Sequence, residues 1–162
     1  MKIFLSIIAA LISGLIIGYV ASKILVALSL DAFSSVFAII MGMVGAVCAG
    51  SIANWAKKYT IGTICAFIIG GMSYYNFVYH NYLPIKRNPP ENFPALVEIQ
   101  KMKEPQGFFK YLTVAAGEEV ETYGGRRRGM QMGPRIVGWV VEGVFVLGIS
   151  YVGMTGWVDR ED

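Results

Sequence analysis

The chain has 162 residues, of which 55% are hydrophobic and 15% are charged, and its formal net charge is +3. This composition is more apolar and less charged than that of an average soluble domain, so it indicates a single-domain membrane protein. The small net charge, with most basic residues outside the apolar runs, gives no support to a nucleic-acid-binding function.

The first predicted element is an apolar helix over about residues 3–22, which is long enough to cross about 30 Å of hydrocarbon. The run is longer than the h-region of a usual signal peptide, so we expect a retained helix. Helices in lipid associate by close van der Waals packing, so small residues on one face predict contact with a neighbour. Such residues recur here at every fourth position: Ser6, Ala10, Gly14, Gly18 and Ser22.

Two further apolar runs, about residues 33–55 and 61–79, predict a second and a third transmembrane helix packed closely against the first within residues 1–79. The third run is shorter and ends in a tyrosine-rich stretch, so a re-entrant segment is the alternative to a full crossing. Asn54 and Asn76 are expected to make hydrogen bonds between helices. Both runs repeat the small-residue spacing, at Gly42, Ala46 and Gly50 and at Gly62, Ala66 and Gly70.

Residues 80–136 form the only sizeable polar segment, which contains all six prolines and most of the charge. Apolar residues at helical spacing predict two short amphipathic helices in it. The first follows Pro94 and has Leu96, Ile99 and Met102 on one face. The second has a face of Phe108, Phe109, Leu112, Ala116 and Val120, and it ends before Gly124 and Gly125.

The last apolar run, residues 137–157, predicts a fourth transmembrane helix, followed by an acidic tail at 158–162. Trp139 and Trp157 are 18 residues apart, which corresponds to about 27 Å along a helix and matches the hydrocarbon thickness. Indole rings favour the membrane interface, so both are predicted to be interface anchors, together with Trp55 at the end of the second run. The predicted fold is therefore an all-α integral membrane protein, a bundle of four transmembrane helices.

The distribution of lysine and arginine predicts the orientation in the membrane. With four crossings, ten of the fourteen basic residues share one side, which favours a cytoplasmic polar segment and both termini outside. Lys57 and Lys58 lie on the other side, and a re-entrant third run would bring them to the cytoplasm as well. The ten are Lys23, Lys86, Arg87, Lys101, Lys103, Lys110, Arg126, Arg127, Arg128 and Arg135.

Two groups of residues are candidate functional sites. Glu142 is the one carboxylate inside an apolar run, and an ionisable residue there is a hypothesis for proton or cation binding. The simpler interpretation is that Glu142 lies near the interface, hydrated or paired with Arg135. Arg126, Arg127 and Arg128, with Arg135, are candidate ligands for lipid headgroups, and membrane anchoring is the simpler interpretation for them.

The sequence contains no recognisable spacing for a metal site or a nucleophile, so we expect no catalytic residue, no metal and no cofactor. The expected partners are the lipid bilayer and other membrane subunits or a second copy, in a cell membrane, with the bacterial inner membrane expected. The first hypothesis is a non-enzymatic subunit or assembly factor of a membrane complex. The alternative is a small oligomeric transporter or channel that uses Glu142. An enzyme acting on lipid phosphates through the arginines ranks last.

Overall fold

The computed structural model describes residues 1–28, 34–88, 94–114 and 132–158, and over these ranges it is all-helical, without a strand. The helices of the described ranges are α1 (Lys2–Ala27), α2 (Ser34–Ala56), α3 (Tyr59–Arg87), α4 (Pro94–Lys101), α5 (Gln106–Val114) and α6 (Met132–Trp157). Four of them, α1, α2, α3 and α6, are long and apolar enough to cross a membrane. The apolar runs of the sequence predicted the same four long helices.

The chain divides into two compact units. The first consists of Met1–His80 and Glu142–Asp162, and the second consists of Asn81–Val141. Both α3 and α6 therefore contribute residues to each unit, because the division falls inside these two helices.

Helices in the first unit alternate in direction, as their residue contacts show. Along α1, Ser6 lies beside Cys65 and Gly18 lies beside Phe77, so α1 and α3 run parallel. A turn at Lys57 and Lys58, with Lys57 in the left-handed region at φ 55°, reverses the chain between α2 and α3.

Helix α6 runs in the same direction as α2. Gly42 lies beside Ile149, and Gly50 lies beside Trp157. Relative to α3, α6 runs in the opposite direction, since Gly62 approaches Met154 while Gly143 approaches Tyr74. The first unit is therefore an alternating arrangement in which α1 and α3 point one way and α2 and α6 point the other.

The core of the first unit is built from small and medium side chains. The fully buried members include Ala10, Ala49, Cys65, Ala66, Ile69 and Met154. The two cysteines are free thiols, one buried and one half-buried. The outward faces carry large apolar side chains instead, since Phe4 and Ile16 on α1 and Val144 and Val152 on α6 are all more than half exposed.

In the second unit, Tyr82 on α3 is fully buried between the rings of Phe108 and Tyr111 on α5. This packing explains why α3 continues to Arg87, eight residues beyond the end predicted at position 79. Phe108 and Phe109 were predicted on the same apolar face of the second amphipathic helix. In the structure Phe108 is buried, whereas Phe109 is 62% exposed. Ala116, Val120 and the glycine pair at 124–125 lie outside the described residues.

Candidate functional site

The carboxyl group of Glu142 lies on α6 opposite Tyr74 of α3. Tyr74 Oη donates a hydrogen bond of 3.4 Å to Glu142 Oε2, and both side chains are half-buried. The next residue, Gly143, allows this approach, since a Cβ atom there would lie 3.2 Å from Cε1 of the Tyr74 ring. The ring of Tyr74 therefore packs on the backbone of α6 while its hydroxyl group reaches the carboxyl group one residue earlier.

This pair places two groups that can carry a proton between apolar helices. A carboxylate bonded by a phenol can accept a proton or offer oxygen atoms to a cation. The sequence predicted Glu142 but not its partner, although Tyr74 continues the four-residue spacing of Gly62, Ala66 and Gly70 and so lies on the same face of α3. Arg135 was the predicted partner of Glu142, and its side chain lies outside the described residues.

The small-residue face of α1 lies against α3. A Cβ atom on Gly14 would lie 2.7 Å from Cβ of Met72, and one on Gly18 would lie 2.9 Å from the backbone nitrogen of Phe77 and meet the carbonyl oxygen of Ser73. The other residues of this face are buried as well, namely Ser6, Ala10 and Ser22. At Gly18 the backbones of the two helices are in contact, so a side chain has no space there.

The small-residue face of α2 lies mainly against α6. Cβ atoms built on Gly42 and Gly50 would lie 2.8 Å from Cβ of Ile149 and 2.7 Å from Cβ of Trp157. A Cβ atom on Gly153 of α6 would likewise lie 2.6 Å from that of Ala46.

The small-residue face of α3 contacts both α2 and α6. Gly62 lies against Ala53 of α2 at 2.5 Å and Gly70 against Leu147 of α6 at 3.1 Å, each measured from a built Cβ atom. Ala66 between them is fully buried. Because α3 also packs against α1, it contacts each of the other three long helices of the first unit.

Side-chain amides join helices at two places, as the sequence predicted for Asn54 and Asn76. Asn54 Nδ2 donates to the carbonyl oxygen of Trp157 at 3.0 Å, and Asn76 Nδ2 donates to that of Leu15 at 2.6 Å. The first bond satisfies an acceptor that the end of α6 leaves without an intrahelical partner.

The tryptophans predicted as interface anchors have different surroundings. Trp55 and Trp157 are more than half exposed, and Lys2 Nζ lies 5.8 Å from the ring centroid of Trp55. Trp139 is half-buried, and its ring lies 6.5 Å from that of Tyr111. Lys2, Trp55 and Trp157 lie at one end of the first unit, because α1 begins where α2 and α6 end.

A polar cluster that the sequence analysis missed lies in the second unit. Glu104 Oε1 accepts hydrogen bonds from Tyr82 Oη at 2.7 Å and from Lys86 Nζ at 2.6 Å. Burial alone would raise the pKa of the Glu104 carboxyl group, but the hydrogen bonds from Lys86 and Tyr82 outweigh it and hold that pKa below its usual range. Tyr82 and Lys86 are four positions apart and so lie on one face of a helix, which is the only feature of the sequence that could have indicated this cluster.

The predicted headgroup ligands Arg126, Arg127 and Arg128, and the side chain of Arg135, lie outside the described residues. Within the described ranges, no group of three or more histidine, cysteine or carboxylate side chains is placed to hold a metal ion. No protein-family model matches this chain, and no curated protein or solved structure shows significant similarity to it.

Proposed function

We propose that this chain is a multi-pass membrane protein in which α1, α2, α3 and α6 each cross the bilayer. The two sides of these helices differ in side-chain size and exposure, and this difference supports membrane insertion. Their inner faces carry small residues in close contact, whereas Phe4 on α1 is 68% exposed and Val152 on α6 is 66% exposed. Large exposed apolar surfaces of this kind are rare on soluble monomers and are typical of surfaces that face lipid or a partner.

The length of α3 supports a full crossing by the third helix rather than a re-entrant path. It is one helix of 29 residues, about 43 Å long, and it runs without a reversal from Tyr59 to Arg87. A re-entrant segment has to turn back inside the membrane, where irregular backbone needs protein or water to satisfy its polar groups.

We place the end of the bundle that contains Lys23 and His80 at the cytoplasmic face. Because α1 and α3 run parallel, these residues lie at the end opposite to Lys2, Trp55 and Trp157. The chain leaves the first unit after His80 and re-enters at Glu142, so the polar segment with most of the basic residues is connected to this end. By the positive-inside rule, we expect this polar segment to lie in the cytoplasm.

Within that membrane, we propose that the protein is a non-enzymatic subunit or assembly factor of a larger complex. The observation that carries this proposal is the exposed apolar face of α6, where Val144, Phe145 and Val152 are each at least 55% exposed. Gly148 and Gly156 lie on the same side, and a Cβ atom on either would meet nothing within 4 Å. Such a face permits close approach of another transmembrane helix.

Purification from native membranes tests both parts of the proposal. The chain should stay in the membrane through an alkaline wash and be released only by detergent. In mild detergent, we expect a foreign subunit in fixed stoichiometry, which Gly148→Trp on α6 releases and Gly71→Trp on α3 does not. Release by the alkaline wash would contradict membrane insertion, and a pure monomer would contradict the subunit function.

A second candidate function rests on the Tyr74–Glu142 pair. A half-buried carboxyl group hydrogen-bonded by a phenol on a facing apolar helix is suited to proton or cation transfer in a small oligomeric transporter or channel. Proton flux into vesicles containing the purified protein should then be lost in Glu142→Gln and kept in Glu142→Asp. Equal flux for wild type and Glu142→Gln, with both proteins folded, would exclude this function.

A further inference from the structure

Two basic side chains lie beside one tyrosine ring near the proposed cytoplasmic end of the first unit. Lys23 Nζ is 5.5 Å from the ring centroid of Tyr19, and the imidazole of His80 packs edge-on against the same ring with centroids 4.8 Å apart. Lys23 and Tyr19 are on α1, whereas His80 is on α3. The parallel packing of α1 and α3 is therefore what brings the two bases together.

No acidic side chain balances these bases within the described ranges. The two ion pairs found there, Lys86 with Glu104 and Lys110 with Glu98, both belong to the second unit. When His80 is protonated, it and Lys23 repel each other across the ring of Tyr19. An anion bound beside both groups would remove that repulsion and accept N–H donors from each.

The surroundings of the bases fit the headgroup layer of a membrane. Tyr79 packs edge-on against His80 with centroids 6.1 Å apart, and Tyr75 stacks on Tyr79 at the same distance. Tyrosine rings concentrate at the interface because one end of the ring is apolar and the other is polar. Tyr19 is 44% exposed and Lys23 is exposed, so a ligand can reach them from outside the bundle.

We propose that Lys23, His80 and the exposed ring of Tyr19 form a binding site for the phosphate group of an anionic phospholipid in the cytoplasmic leaflet. Lys23 supplies the fixed positive charge, and His80 supplies a ring N–H donor. A lysine stem can lie along apolar surface while its ammonium group reaches the headgroup layer. This proposal rests on the membrane insertion proposed above, and it concerns residues distinct from the arginines at 126–128.

Native mass spectrometry of the detergent-purified protein, after exchange with defined lipids, tests the site. Wild type should retain phosphatidylglycerol in preference to phosphatidylcholine. One basic group near an anionic surface contributes about fivefold in binding, so Lys23→Gln should lower the retention of phosphatidylglycerol by about that factor. The double variant Lys23→Gln/His80→Gln should lose the preference, and Lys23→Arg should keep it.

Lys2→Gln is the matched control, because Lys2 also lies over an aromatic ring, that of Trp55, but at the opposite end of the bundle. It should leave retention unchanged. Equal retention by wild type and a folded double variant, or equal loss in Lys2→Gln, would overturn the proposal. Displacement of the lipid by inorganic phosphate at equal concentration would assign the site to the free anion instead. Release of the chain by an alkaline wash would contradict membrane insertion, independently of these lipid comparisons.

Discussion

The phenol of Tyr82 on α3 donates a 2.7 Å hydrogen bond to Oε1 of Glu104, in the turn between α4 and α5. Tyr82 is fully buried, and its ring is enclosed by Phe108 and Tyr111. The same oxygen of Glu104 accepts a hydrogen bond from Lys86, one turn further along α3. The end of α3 and the turn between the two short helices are thus joined by polar and aromatic contacts.

Removal of the Tyr82 hydroxyl group should weaken the contacts between α3 and the turn that contains Glu104, without unfolding the long helices. A hydrogen bond to a charged acceptor contributes about 1.5–3 kcal/mol, so we expect Tyr82→Phe to lower the local stability of α4 and α5 by roughly that amount. Amide hydrogen exchange, read by mass spectrometry over residues 94–114, measures this loss of stability. Phe109→Leu, at an exposed position, is the control and should change little.

Protonation of Glu104 in acid should weaken the same contacts between α3 and the turn. The hydrogen bonds that it accepts lower the pKa of its carboxyl group in the folded state. The ionised carboxylate therefore stabilises the fold fully above the unfolded pKa of about 4.3, and this contribution is lost as the pH falls through the lower folded pKa.

Hydrogen exchange of α4 and α5, corrected for its intrinsic pH dependence, should consequently rise below about pH 4 in wild type. Glu104→Gln should show faster exchange at pH 7 and a smaller increase on acidification. If the variant responds to acid as strongly as wild type does, the acid sensitivity belongs to another group.

Gly107 and Tyr82 should be energetically coupled. A Cβ atom on Gly107 would lie 2.7 Å from Tyr82 Oη, and the Tyr82 side chain is fully buried. Overpacking of this kind typically costs about 1–3 kcal/mol, so Gly107→Ala should destabilise α5. In a Tyr82→Phe background the clashing oxygen atom is absent.

A double-mutant cycle on these two positions, read by the same exchange measurement, should show that Gly107→Ala costs less in the Tyr82→Phe background than in wild type. Purely additive effects would mean that the close approach of Gly107 to Tyr82 Oη does not limit the substitution.

Substitution by alanine should have different effects on stability at two glycines of the long helices. At Gly18, a methyl group would meet backbone atoms of Ser73 and Phe77, so α1 and α3 would have to separate. We expect Gly18→Ala to destabilise the bundle by about 1–3 kcal/mol. At Gly71 a Cβ atom would meet nothing within 4 Å, so Gly71→Ala should be neutral or stabilising.

Thermal unfolding in detergent, followed by circular dichroism, compares the two variants directly. A lower Tm for Gly18→Ala and an unchanged or higher Tm for Gly71→Ala is the expected result. Equal Tm values for Gly18→Ala and wild type would show that α1 does not pack on α3 at Gly18.

Several contacts could not be predicted from the sequence because they join distant parts of the chain. Glu142 was identifiable as a carboxylate in an apolar run, but Tyr74 lies 68 residues before it, and no local pattern pairs the two. Periodicity grouped Phe108 with Phe109, whereas the packing of α5 against Tyr82 buries Phe108 and Tyr111 and leaves Phe109 exposed. The length of α3 was underestimated because its last turns are held by Glu104, which follows later in the chain.

The class of the fold follows from the amino-acid sequence alone. The described ranges are all-helical, and four of the helices are long and apolar enough to span a membrane. Hydrophobic run length and the spacing of small residues are local properties, and they can be read along one helix at a time. Which helices are neighbours is a property of their packing, which brings Lys23 and His80 to the same tyrosine ring and Tyr74 to Glu142. Such pairings depend on how the faces of separate helices fit together, which no single helix specifies.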